Sequence, residues 1–233
     1  MYMDWTYIIF VLPAVIFSMW ASAKVTSTFK KYSKVHNSRG LTADAAARYI
    51  LDRNGLRNIR IERISGELTD HYDPTNNVIR LSDSVYGNTS AAAIGVACHE
   101  TGHAIQHAVG YKPVKIRTAI VPITNFGSRL SVPLIIVGLL LASFSKVFIM
   151  LAYFGVICFS LCVVFQLVTL PTEFDASRRA LKLIGENSLL VDEEYSAAKK
   201  VLTAAALTYV AALAVSLMQL LRFIIIVGGR RRN

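Results

Sequence analysis

The chain has 233 residues, 54% of them hydrophobic and 17% charged, and a formal net charge of +10. Soluble domains are about 45–50% apolar even with glycine counted, so this composition calls for a lipid bilayer. In so apolar a chain, the excess of Lys and Arg reads as loops held on one side of a membrane, facing anionic lipid. No recognition motif and no basic strip interleaved with aromatics accompanies it, which argues against a nucleic-acid partner. Cys98, Cys158 and Cys162 are an odd set without CxxC spacing. They read as buried thiols, not as a disulfide framework or a metal knuckle.

The first element is an apolar run from Trp5 to Val25, long enough to span a bilayer. Ala21–Ser22–Ala23 imitates a signal-peptidase site, but the preceding MYMD lacks the basic residue that a signal peptide carries. A retained anchor over 1–25 is therefore expected. The basic segment FKKYSKVHNSRG (Phe29 to Gly40) reads as a linker on the membrane surface. LTADAAARYILDRNGL then has Thr42 as N-cap and Gly55 as stop, which predicts a helix. IRIERI alternates like a strand, HYDPTNN reads as a turn, and NNVIRLS as a second strand able to hold substrate backbone as an added strand.

Ser90 caps the next expected helix, Ala91 to Val109, closed by Gly110 and Pro113. This helix carries HETGH. His99 and His103 are four residues apart, about 6 Å along the axis and on one face, so both imidazoles can reach one zinc ion. Glu100 flanks that face and is suited to take a proton from an activated water. Gly102, between the ligands, costs about 1 kcal/mol of helix propensity against Ala. A closely packed backbone, of the protein or of a peptide, would account for it. His107 continues the series but lies about 12 Å along the axis from His99, and families with a third histidine use HExxHxxGxxH. It is expected at the rim or behind a ligand.

Pro133 to Pro171 holds one charge, Lys146, over 39 residues. That length suits a helical hairpin turning near Ser143–Lys146, since about 20 residues make one span. After it, Thr172 reads as the N-cap of a new helix, with Asp175 as its box partner. Glu173, Ala176, Ser177, Ala180 and Ile184 form a small, mostly apolar face, opposite Asp175, Arg178, Arg179 and Lys182. A carboxylate entering a buried site should project from the small face, which favours Glu173 as third ligand over Asp175. Asp175 could orient a ligand histidine or serve only as the cap. His71, Tyr72, Tyr86 and Tyr111 are candidates for steadying the oxyanion. Val201 to Gly229 is a last apolar segment containing Arg222.

HETGH, the later EFDAS, the anchor, the hairpin and the final apolar segment together resemble the YugP-like family of membrane-bound neutral zinc metallopeptidases. The specific part is NNVIRLSDSVYGNTSAAAIGVACHETGHAIQHAVGY. The arrangement is also similar to HtpX-type enzymes and the wider gluzincin group. That resemblance implies one zinc per chain on His99, His103 and Glu173, Glu100 as catalytic base, and a site facing the cytoplasm. HtpX-type enzymes have a longer E-x-x-A-D pattern, whereas Asp175 here follows Glu173 by two residues.

The expected fold is mainly α, a multi-span helical membrane protein with a zincin-like metallopeptidase core made of the HExxH helix and a small β-sheet. Its expected domains are the anchor at 1–25, a first half of the metallopeptidase domain at 26–131, a transmembrane hairpin at 132–170, the second half at 171–200, a C-terminal segment at 201–229 and a basic tail at 230–233. Lysines and arginines after the first span put the polar region in the cytoplasm; one last full span would put Arg230 to Arg232 outside, and the sequence leaves that conflict open. The expected activity is a zinc-dependent endopeptidase of the cell membrane acting on membrane or membrane-proximal proteins, with the bilayer, a peptide substrate and a membrane-protein partner or second copy as partners. A zinc-binding membrane scaffold without turnover remains the alternative. A transporter would want polar groups inside its spans, and the hairpin offers few.

Overall fold

The computed structural model describes residues 5–229, so the basic tail read at 230–233 and residues 1–4 of the anchor lie outside the described residues. The element order is α1 (Leu12–Tyr32, preceded by a π-turn over Tyr7–Val11), α2 (Ala43–Arg53), β1 (Arg60–Ile64), β2 (His71–Asp73), β3 (Val78–Ser82), α3 (Ala91–Ala108), α4 (Lys112–Leu140), α5 (Lys146–Glu186) and α6 (Asp192–Gly229). The protein is mainly α. Among the described residues, four helices are long and apolar enough to cross a membrane: Tyr7–Tyr32, α4, α5 and α6.

The chain forms two compact units. Among the described residues, one comprises 5–20, 116–170 and 208–229; the other comprises Ala21–Lys115 and Pro171–Leu207. In the first, glycines let α4 and α5 approach closely. A Cβ on Gly138 would stand 2.6 Å from the Phe148 carbonyl, and one on Gly155 2.8 Å from the Ser131 carbonyl, as expected where small residues set helix contacts in lipid. The hairpin turns at residues 141–145. Phe126, Leu140, Met150 and Ile157 are left exposed, an outward apolar surface suited to acyl chains. Arg222 lies over the rings of Tyr7 and Phe223, 5.4 and 5.8 Å from their centroids, so its charge is met by aromatic faces.

In the second unit, Ile50, Leu51, Ile79, Leu81, Val85 and Ile94 are fully buried in one core with Ala180 and Ile184. The sheet order is β1-β3-β2, with β1 parallel and β2 antiparallel to β3. Two readings are corrected here. HYD is a strand, and only the residues after it turn, held by Asp73, whose carboxylate accepts from the Thr75 and Asn76 amides. NNVIRLS becomes the central strand, with both backbone edges bonded over Val78–Arg80, which leaves no free edge there for an added strand. The expected surface linker is also docked: Ala91 N–H donates to Val35 O, and the buried Asn37 bonds the Thr89 and Leu41 carbonyls.

The helix limits are corrected in two places. Pro133 lies inside α4, which starts at Lys112. Thr172 does not cap a helix, because α5 runs through Pro171 without a break. Proline there removes the N–H that would bond the Leu167 carbonyl and costs about 3 kcal/mol. The burial of Thr172, Glu173, Ala176, Ala180 and Ile184 on one helical stripe outweighs it.

Candidate metal centre

Local sequence places the HETGH residues. The Ser90 hydroxyl accepts from the Ala93 amide and starts α3, which packs against α2 and the sheet. Its far side meets α5 at Gly102, where an added Cβ would stand 2.6 Å from the Ala176 carbonyl oxygen. The close backbone expected from the glycine is that of α5. It brings Glu173 opposite the two histidines.

His99, His103 and Glu173 each offer a ligand atom, and these atoms lie within 4.8 Å of one another. Both Nε2 atoms stand 3.3 Å from the same oxygen, Glu173 Oε2, and the rings meet edge-on at 4.7 Å between centroids. Charge-assisted hydrogen bonds between N–H and carboxylate are shorter, about 2.7–2.9 Å. Ligands about 2.0–2.1 Å from one tetrahedral zinc are separated by about 3.3–3.4 Å. The spacing suits a shared ion better than a hydrogen bond, and the donor set, two imidazoles and a carboxylate, is one that zinc takes.

The outer ring nitrogens are occupied. His99 Nδ1 lies 3.1 Å from Ser177 Oγ and His103 Nδ1 lies 3.0 Å from Gln106 Oε1. The fully buried Gln106 donates through Nε2 to the Thr172 carbonyl at 2.8 Å and to Asp175 Oδ2 at 2.9 Å, and Arg179 Nε donates to the same oxygen at 2.6 Å. With its NH2 so committed, Gln106 can present only its carbonyl oxygen to His103. In its neutral form His103 then carries its proton on Nδ1 and turns its Nε2 lone pair toward Glu173. Asp175 thus faces inward, with Arg179 curling back over it, and is not on a solvated charged face. It reaches the histidine through Gln106 and not directly. Burial alone would lower the pKa of His103, but Glu173, Glu100 and the Gln106 bond outweigh it and raise it.

Glu100 is buried, 8% exposed. Among the described residues its carboxylate has no hydrogen-bond partner, yet its oxygens are not among the sealed unpartnered atoms. A carboxylate kept from water without a partner is costly, so this one is free for a proton donor entering the site. Asp70, which sequence reading passed over, is near enough for Glu100 to act on it. Burial first, then repulsion from Glu100, raises its pKa against the opposing bonds from Ser82.

The other candidates have local partners. The Tyr72 hydroxyl donates to Asn77 Oδ1, and its ring meets His107 edge-on at 5.4 Å. His71 Nδ1 bonds the Thr69 carbonyl, and Tyr111 carries the Arg179 guanidinium 5.6 Å from its ring centroid. Tyr86 is exposed.

A family described as putative neutral zinc metallopeptidase matches residues 7–228. The chain belongs to that family. Among curated proteins, the putative membrane protease YugP of Bacillus subtilis (strain 168) is 47% identical over 228 residues, covering 97% of this chain and 99% of the relative. No solved structure matches. Membership implies zinc as the metal of a site in this chain, and the four apolar helices agree with a membrane protein.

Proposed function

We propose that the chain is a zinc-dependent endopeptidase of gluzincin type, with one ion held by His99, His103 and Glu173 and with Glu100 as general base. The observation that carries this reading is the pair of equal 3.3 Å separations from both imidazole Nε2 atoms to Glu173 Oε2. Zinc, when bound, supplies a Lewis acid that polarises the scissile carbonyl and makes water acidic enough to ionise near neutral pH. Glu100, with its unbonded carboxylate, takes the proton of the attacking water and returns it to the leaving amine as the C–N bond breaks. Gln106, braced by Asp175 and Arg179, keeps the His103 proton on Nδ1. Ser177 holds the outer nitrogen of His99.

The apolar helical unit, residues 5–20, 116–170 and 208–229, is read as the membrane part, and 21–115 with 171–207 as the two halves of the catalytic domain. The lysines and arginines after the first span support a cell-membrane protein with its site toward the cytoplasm. The apolar helices and the relative's name support membrane or membrane-proximal proteins as substrates.

Elemental mass spectrometry of detergent-purified protein tests the ligand set. About one zinc per chain is expected in the wild type, with loss in His103→Ala and Glu173→Ala. A folded wild type without zinc, or a Glu173→Ala variant that keeps its metal, would end this assignment. The orienting chain gives a graded prediction. Gln106→Leu leaves His103 Nδ1 without its acceptor, and zinc affinity should fall about 10–100-fold in a chelator competition. Asp175→Asn should fall less, because Gln106 retains the Thr172 carbonyl. Unchanged affinity in Gln106→Leu would remove the orienting role.

A further inference from the structure

Away from the metal centre, the C-terminal half of α1 and the N-terminal half of α6 enclose a cleft of about 490 Å³. Lys24, Lys31, Lys199 and Lys200 line it, and no acidic side chain does. Among the described residues, none of the four lysines makes an ion pair. Glu194, on the same helix, has its carboxylate on the Ser38 and Val191 amides instead. Lys31 and Lys200 both stand over the Tyr32 ring, 5.4 and 5.6 Å from its centroid, which holds their ammonium groups together despite their repulsion. Thr28 and Ser196 add hydroxyls that make no hydrogen bond to the described residues. Four cations, free hydroxyls and no anion make a site for a phosphate group.

We propose that this cleft binds the phosphate of an anionic phospholipid headgroup. Two features select a lipid over soluble phosphate. One end of the cleft is apolar, formed by Ala204 and Leu207, and from Leu207 α6 runs on through the apolar residues of its candidate span. On α1, the exposed Trp20 stands one turn before Lys24, and tryptophan is enriched where membrane meets water. The headgroup phosphate would rest on the lysines while its acyl chains follow the apolar helix surfaces.

The test is native mass spectrometry of the detergent-purified full chain titrated with phosphatidylglycerol or with phosphatidylcholine of the same acyl chains. Wild type should retain phosphatidylglycerol and not phosphatidylcholine. K31Q/K199Q/K200Q should need about tenfold or more lipid for the same retention, since each basic residue at an anionic surface contributes severalfold. R57Q/K112Q/K182Q removes as much charge elsewhere and should bind as wild type. K31R/K199R/K200R keeps the charge and should also bind. Thermal unfolding without lipid checks that each variant is folded, and K199Q/K200Q replaces the triple variant if that one is not. Equal retention in the folded Gln variant overturns the site. Loss in the folded Arg variant overturns its electrostatic basis. Displacement of the lipid by inorganic phosphate overturns the lipid assignment.

Discussion

Replacing Glu100 by Gln should leave zinc in place and lower peptide turnover about 10²–10⁴-fold, the usual contribution of a positioned acid–base group. The substitution is isosteric, and the Glu100 carboxylate has no hydrogen bond to the described residues, so no hydrogen bond is broken. It removes a buried charge that repels Asp70 and attracts His103, opposing effects that should leave thermal stability nearly unchanged. The combination separates a base from a ligand or a structural acid. Removing a ligand empties the site, and removing a structural acid lowers the melting temperature. The measurement is kcat on a quenched fluorescent peptide, beside zinc per chain and Tm. Turnover within tenfold of wild type would assign the proton transfer elsewhere. Zinc bound with no turnover in the wild type itself would favour the scaffold alternative.

The parts of the site that could be read from sequence are those with a local cause. HETGH sits on a helix whose start is written in Ser90, and helical spacing alone puts His99 and His103 on one face. The small stripe Ala176, Ala180, Ile184 pointed to a closely packed partner, and Gly102 on the other helix pointed the same way. The parts missed depend on contacts distant in sequence. Gln106 stands where HExxHxxGxxH has its glycine, and nothing near it in sequence marks it out. Its meaning comes from Thr172 and Asp175, 66 and 69 residues away, and no local pattern encodes that. Thr172 was read as a cap because Thr followed by an acid three residues later is a capping signal. The burial that carries α5 through Pro171 exists only once α3 lies against it. Strand order was illegible for the same reason. NNVIRLS has an equally good strand pattern at the edge or in the centre, and only the parallel pairing with β1 decides.

Gly102→Ala tests whether the approach of α3 to α5 builds the metal centre. Two effects of opposite sign compete. Alanine raises helix propensity by about 1 kcal/mol, so at an uncrowded position the variant would be more stable than wild type. Here the new methyl would stand 2.6 Å from the Ala176 carbonyl oxygen. That atom is backbone and cannot rotate aside, so one helix must move by several tenths of an ångström. Overpacking of this kind costs about 1–3 kcal/mol, which should exceed the propensity gain. The shift falls where it matters, because Gly102 is next to His103 and Ala176 is three residues from Glu173. Both 3.3 Å ligand separations must change, so zinc affinity should fall more than stability does. Gly95→Ala is the internal comparison. It lies on the same helix and gains the same propensity, but its nearest neighbour is the Ala198 Cβ at 3.2 Å, as rigid as backbone but needing to yield far less than an atom at 2.6 Å. The expected order is therefore Gly95→Ala close to wild type in zinc affinity, and Gly102→Ala well below both in zinc affinity and lower in Tm. If Gly102→Ala were as stable as wild type and bound zinc as tightly, the two helices would have room that this packing denies, and the proposed origin of the site in their close approach would be wrong.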